Sequence, residues 1–457
     1  MTDLVLVRPG ISNKAEQHWS FAPPLGLGYL ASIARANGLD VRVVDGKLSE
    51  HDSPTATADA IIAYKPKFVG ISAMTPEYPA ARNIARKIKA SGNGPVTILG
   101  GAHANALPEQ VVAEAPEFDY VYAGDGERLF VNGDLAALLR GELTDPVPGL
   151  FSQNDGRNIA HSIAVHDFDI THKIFPAWDL FPRAKIYPIL TERGCPYKCV
   201  FCSRNSSSKI RTRPIEHVIE EIEWLHRNFK PEAIHFEDET FGLNNQRLEP
   251  LLVWLEKFNR RAGISFKAQT RVDRVSKSFL QLMKAAGFGY VEFGVESCDP
   301  GVMKRSGKNI TREQVATAVK LARQAGLKIW LKFIIGLPGE TGATIRNTIN
   351  FAARLNPDRI SVATIVAYPG SEIYTWARSG QNGYRLFSDD WSSFDKYISN
   401  SVELDNMSAG TMRRYQMQMY LETYARNLRF VELFNLFYKH KYFFRPWLKG
   451  LIGKKRK

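Results

Sequence analysis

Three cysteines within eight residues form the densest chemical signal in the chain. Cys195, Cys199 and Cys202 sit in Arg193-Gly194-Cys195-Pro196-Tyr197-Lys198-Cys199-Val200-Phe201-Cys202, a CxxxCxxC spacing directly after a β-branched run. Three thiolates on one loop can anchor three irons of a cubane and leave the fourth iron open, whereas a structural zinc or an electron-transfer cluster ordinarily takes four protein ligands. Gly194 and Pro196 suit a loop that wraps a bulky group, and Phe201 could shield it from water. A zinc site completed by His217 or Cys298 is the competing reading.

Further chemistry-bearing residues recur where short apolar runs end. Downstream these are Glu237-Asp238-Glu239, Arg271, Glu296-Ser297, Gly336-Leu337-Pro338-Gly339-Glu340 and Tyr368-Pro369-Gly370-Ser371. Consecutive acids alternate sides in a strand, so only some of Glu237, Asp238 and Glu239 can face one ligand. A solvated acidic loop and a surface arginine remain the plainer readings of these positions. Upstream, Ser72 with Thr75, Gly100 with Gly101 and His103, and Gly124 with Gly126 occupy the corresponding ends. Small residues at three adjacent strand ends open a slot at the carboxyl edge of a parallel sheet, where ligands of such sheets bind.

The elements that must position these residues follow from periodicity. LVLV (4–7), VRVV (41–44), FVGIS (68–72), VTILG (96–100) and YVYAG (120–124) recur about every 25 to 35 residues, separated by amphipathic stretches such as Gly26–Asn37 and Ala80–Ala90. That rhythm predicts a five-stranded, flavodoxin-like α/β domain over residues 1–145. Residues 146–185, rich in proline and with His161, His166 and His172, read as an irregular linker that could hold a short hairpin. From Tyr187 six further strand–helix units span residues 186–390 and predict a partial (β/α)6 barrel with its chemistry at the strand ends. Residues 391–457 read as a C-terminal helical region, helical through Thr411–Phe437, with a basic aromatic tail.

Composition sets outer bounds. The 457 residues, 44% apolar and 23% charged, can bury several cores and lack the charge-rich signature of disorder. Four cysteines cannot build a disulfide framework, which suits a reducing cytoplasm, and neither a membrane-spanning run nor a signal peptide is evident. Residues 426–457 carry ten Lys or Arg against the single acid Glu432, so this segment supplies most of the net charge of +13. Its aromatic residues, Phe430, Phe434, Phe437, Tyr442, Phe443, Phe444 and Trp447, interleave with those cations. Peripheral docking on an anionic membrane, cover for an apolar face of the barrel, and nucleic-acid binding, the least favoured of the three, all fit this pattern.

With these motifs in place, the chain resembles the cobalamin-dependent radical S-adenosylmethionine (SAM) enzymes over nearly its whole length. The resemblance implies Cys195, Cys199 and Cys202 as ligands of a [4Fe-4S] cluster whose open iron chelates SAM and cleaves it reductively to a 5′-deoxyadenosyl radical. It further implies Asp238 and Glu239 near the ammonium of SAM, Arg271 on its carboxylate, Glu296 and Ser297 near its ribose, and the turn at Gly336 and Gly339 near adenine. Ser72, Thr75, Gly100, Gly101, Gly124 and Gly126 would hold cobalamin. The DxHxxG loop that gives cobalt a histidine in many cobalamin proteins is absent, since Arg8-Pro9-Gly10-Ile11-Ser12 takes its place; His18 and His103 are assigned no cobalt role. Methylation of an unactivated carbon or phosphorus centre in a small or lipid-soluble substrate is the leading implied activity, with a flavodoxin- or ferredoxin-type electron donor. Radical oxidation or rearrangement, as in the anaerobic magnesium-protoporphyrin ester cyclase, is the alternative. Methylthiolation would need a second cluster, and residues 1–194 contain no cysteine.

Overall fold

A computed structural model of the chain describes residues 2–10, 22–48, 51, 53–92, 94–131, 133–140, 142, 147–152, 166–203, 207–396 and 401–439. His18, His161 and the tail beyond residue 439 lie outside the described residues.

The first sheet comprises β1 (Leu4–Arg8), β2 (Val41–Asp45), β3 (Phe68–Ser72), β4 (Val96–Gly100) and β5 (Tyr120–Tyr122), parallel in the order 2-1-3-4-5. β1 lies between β2 and β3, and Leu4, Val5, Leu6 and Val7 are all buried, as a strand covered on both faces requires. Helix α1 (Leu25–Ala36) packs on one face, and α2 (Tyr78–Lys89) turns Tyr78, Ala81, Ile84, Ala85 and Ile88 onto the other. A sixth strand, β6 (Leu150–Phe151), adds antiparallel to β5. It comes from the segment read as linker, and two residues are too short to leave a periodic trace. Gly149 makes that pairing fit, because a Cβ there would stand 2.3 Å from the Ala123 carbonyl oxygen.

Six parallel strands form the second sheet in simple succession: β7 (Ile186–Ile189), β8 (Ala233–Phe236), β9 (Ser265–Thr270), β10 (Tyr290–Glu296), β11 (Lys328–Ile335) and β12 (Arg359–Thr364). On β9, β11 and β12 buried residues alternate with partly exposed ones. One face therefore meets the surrounding helices and the other lines an open half-barrel. Side-chain caps start several of those helices, with Ser276, Thr311 and Thr341 each accepting from a first-turn N–H; such caps stabilise by about 1 kcal/mol each.

The continuous helix expected over Thr411–Phe437 is instead two, α3 (Ala409–Arg426) and α4 (Phe430–Lys439). Asn427 caps the first, and Leu428 at φ +54° reverses the chain. One apolar core runs through both sheets, and a second lies under α2 on the other face of the first sheet. Between the sheets Trp178, fully buried, lies against Tyr187 of β7, and a Cβ at Gly28 of α1 would stand 2.8 Å from its indole. Gly28 is thus a contact of close backbone approach between the two halves.

Candidate active site

The cysteine loop leaves β7 and returns through a short pairing of Glu192–Arg193 with Arg211–Thr212. Gly194 sits at φ +105°, where a Cβ would be 2.4 Å from the Lys209 carbonyl oxygen, so the chain passes there only without a side chain. The Cys202 N–H donates to the Cys199 carbonyl at 3.1 Å, and the Val200 N–H donates to Ser306 at 3.1 Å. Cys199 is buried, Cys195 half-buried and Cys202 exposed. Burial pushes the Cys199 thiol up, and the nearby Lys308 and Arg271 cations pull the other way.

The loop offers three thiols in eight residues, the donor set of a cubane with one open iron. Among the described residues no three His, Cys, Asp or Glu side chains converge on a point that one ion could occupy. Three corners of a cluster need thiolates held apart, each on its own iron. Cys298 is engaged elsewhere, its N–H donating to Thr348 Oγ1 at 3.2 Å and its carbonyl accepting from Arg312. His217 lies on the helix Ile215–Phe229.

The acidic motif divides its work. Asp238 is buried and accepts from the Thr191 N–H at 2.7 Å, the Thr191 hydroxyl at 2.6 Å and the Glu192 N–H at 3.3 Å. Burial still pushes its carboxyl up to about 6. This carboxylate therefore shapes the entry to the cysteine loop. Glu239 is exposed and accepts from the Gly194 N–H at 3.0 Å, beside Cys195, which leaves its other oxygen at the loop.

Arg271 is likewise committed. Its guanidinium forks onto Asp273 at 2.9 and 3.2 Å, donates to the Lys308 carbonyl at 2.9 Å and lies 3.6 Å from the centre of the Tyr197 ring. The fork expected on a ligand carboxylate is taken by Asp273, and the residue is a buried brace of the cysteine loop, not a surface arginine. Glu296 stands at φ +65° at the end of β10 and accepts from Lys308 Nζ at 3.1 Å. Ser297 turns away from the strand ends to Thr348, 3.2 Å between hydroxyl oxygens. Lys308 and the preceding Gly307, packed under the Lys198 carbonyl, were not legible as site residues, because Lys304–Lys308 reads as an ordinary basic surface stretch.

Gly336 and Gly339 both take positive φ, +97° and +71°. The turn is held from beneath by Glu340, fully buried, which accepts from the Gly336 N–H at 2.6 Å and the Leu337 N–H at 3.2 Å. Burial, only partly offset by these donors, pushes Glu340 up to about 8. A raised carboxyl value means that the folded chain keeps a proton the unfolded chain releases, so its contribution to stability falls as pH rises from about 4.5 to 8. The melting temperature is expected to fall between pH 7 and 8.5. Glu340→Gln should flatten that decline, read by thermal denaturation across the range.

In the first half, a cavity of about 260 Å³ opens between α1 and the carboxyl edge of the sheet. Its walls are apolar at Leu4, Leu6, Leu30, Ile98, Leu129 and Phe130, with Ser72, Gly100, Gly101, Gly124 and Gly126 at the strand ends. A deep apolar slot with a hydroxyl and small residues along one side suits the nucleotide tail of cobalamin. Five of the six residues expected there line it. Thr75 is instead buried with its hydroxyl 3.4 Å from His103 Nδ1. His103 stacks on Tyr78 and meets Trp391 edge-on, and burial lowers its imidazole to about 3, which keeps it neutral.

The slot and the cysteine loop share a wall. Arg193, two residues before Cys195, lines the cavity and donates to Glu127 at 2.6 Å, while Arg211 pairs with Asp125. Both acids belong to the Gly124-Asp125-Gly126-Glu127 turn.

Comparison with known proteins agrees with this arrangement. Residues 189–352 match the radical SAM superfamily and residues 20–132 the B12 binding domain. An uncharacterized methyltransferase of Pyrococcus horikoshii is 30% identical, covering 94% of this chain and 93% of its own. The anaerobic magnesium-protoporphyrin IX monomethyl ester cyclase of Rubrivivax gelatinosus is 29% identical over 77% of this chain and 66% of its own. Among solved structures, the radical SAM methyltransferase TsrM of Kitasatospora setae, with cobalamin and a [4Fe-4S] cluster bound, superposes with a TM-score of 0.71 at 18% identity over 93% of this chain and 89% of its own. The two family matches, together with a relative 30% identical over nearly the whole chain, place the chain in the cobalamin-binding branch of the radical SAM superfamily.

Proposed function

We propose that the protein methylates a carbon or phosphorus centre of a small molecule at the expense of SAM, drawing electrons from a flavodoxin- or ferredoxin-type donor. The observation that carries this reading is the shared wall: Arg193 belongs at once to the cysteine loop and to the apolar slot. When bound, the cluster and cobalamin supply one-electron cleavage of SAM and a carrier for its methyl group. The chain's own residues hold and screen. Cys195, Cys199 and Cys202 anchor the cluster, and Lys308 and Arg271 place positive charge beside Cys199. Glu239, at the Gly194 N–H after β8, and Glu296, at Lys308 at the end of β10, offer carboxylates for the ammonium and the ribose of SAM. The Gly336–Gly339 turn presents backbone for adenine.

Anaerobic reaction of the loaded protein with reductant, host extract and methyl-labelled SAM tests this. Label in a new product, with 5′-deoxyadenosine and S-adenosylhomocysteine, is expected. 5′-Deoxyadenosine rising with an unlabelled oxidised product would favour cyclisation instead, the reading supported by similarity to the cyclase.

The C-terminal helix supports a peripheral membrane contact in addition. No helix among the described residues is long and apolar enough to cross a bilayer. Leu428, Phe430, Val431 and Phe434 are nevertheless 59–75% exposed, next to the basic tail. Deleting residues 430–457 is expected to abolish cosedimentation with anionic vesicles, and unchanged cosedimentation would remove this contact.

A further inference from the structure

Half-barrel strands turn Phe236, Phe266, Ala268, Leu331, Phe333 and Val362 to the helices, and all are buried. The opposite face is charged, which neither the cysteine loop nor the slot requires. Glu292 of β10, its side chain 2% exposed, binds Lys267 of β9 at 2.9 Å and Lys332 of β11 at 2.6 Å. Burial works against its ionisation, yet Lys332 and Lys267 hold it below the usual carboxylate range. One carboxylate thus serves two ammonium groups, which themselves stay 36% and 31% exposed.

Trp330 gathers the cations. Lys267 Nζ, the Arg359 guanidinium and Lys332 Nζ stand 4.9, 5.5 and 5.9 Å from its ring centre. The indole is itself fixed by donating to Ser361 Oγ at 2.9 Å. The remaining titratable neighbours do not cancel this charge. Burial lowers His235 to about 4, leaving it neutral, and Glu237 adds a second carboxylate that feels Lys267 and Lys332. Three cations around one ring, against the carboxylates of Glu292 and Glu237, leave a net positive charge on a face whose lysines stay partly exposed.

We propose that this face binds the anionic end, carboxylate or phosphate, of the substrate whose other end reacts at the strand ends. The inference rests on the radical SAM reading above and adds the substrate's chemical class. Four residues of strand separate Glu292 from Glu296, so the anion would sit about 13 Å below the reacting atom at the usual rise per residue. The substrate is thereby an elongated molecule with a negative group remote from the centre it transforms.

The test uses the full chain loaded with cluster and cobalamin, titrated with benzoate, phenyl phosphate and benzyl alcohol by ligand-observed NMR. Both anions are expected to bind about tenfold more tightly than the alcohol. Whichever of the two binds more tightly names carboxylate or phosphate as the class. Lys332→Gln should weaken anion binding about fivefold and Lys332→Arg should restore it. Glu292→Gln, which removes the resident anion, should tighten it about fivefold, a gain that a barrel-filling network would not produce. Equal affinity for anions and alcohol, or unchanged anion affinity in Glu292→Gln, would overturn the proposal. Cobalamin content and 5′-deoxyadenosine formation, measured on the same wild-type preparation, report the underlying reading separately. If both are present without anion preference, only the substrate class fails; if both are absent, the cofactor reading fails with it.

Discussion

Cys199→Ala is expected to reduce 5′-deoxyadenosine formation to the detection limit and to lower bound iron. No compensating ligand is held ready for the loop among the described residues. Cys199 is buried at its centre, its carbonyl accepts from Cys202, and the neighbouring Val200 is tied to Ser306, so the loop has little freedom to bring another donor into the empty corner. Cys298, the one remaining cysteine, is fixed through Thr348 and Arg312. Cys298→Ala should therefore retain iron and SAM cleavage, and iron analysis beside product chromatography checks both. Retained cleavage in Cys199→Ala would show that this thiol is not a cluster ligand.

Filling the slot should have the second largest effect, and the choice of glycine decides what is learned. At Gly101, φ is +91° and a Cβ would stand 2.7 Å from the Ala73 nitrogen, so any side chain there displaces backbone as well as ligand. Gly100 lines the same cavity, yet a Cβ there meets nothing nearer than the Tyr122 carbonyl oxygen at 3.9 Å. Gly100→Leu is thus expected to fold and to weaken cobalamin binding about 100-fold, from overpacking of roughly 1–3 kcal/mol. Absorbance of bound cobalamin after desalting reads the loss, and iron content should stay unchanged. Full cobalamin in that variant would place the nucleotide tail elsewhere.

Strand positions were legible because burial writes itself into apolar runs: all eleven parallel strands fall within or beside the segments that periodicity marks. The cysteine loop was legible because three thiols at that spacing have few other uses. What periodicity could not show is where a polar side chain points once the strand has ended. Asp238 and Glu239 are neighbours in sequence, yet one faces Thr191 in the interior and the other Gly194 at the loop. Arg271 sits at a strand end as expected, but Asp273, two residues on, captures its fork. The charged inner face escaped notice because Lys267, Glu292 and Lys332 lie on three strands about 25 and 40 residues apart, and only the register brings them together. The break at Asn427 and Leu428 was invisible to a helical pattern that resumes on the far side.

Arg193 has one more consequence, for the order in which the protein matures. Its guanidinium is held by Glu127 on the rim of the slot, while its backbone leads into Gly194 and Cys195. A ligand that tightens the Gly124–Glu127 turn therefore also steadies the loop that must receive iron, and a filled loop steadies the turn in return, since coupling between two sites is reciprocal. Uptake of cobalamin before iron would leave the exposed Cys202 on a loop already restrained, shortening the interval in which its bare thiol can be lost to oxidation.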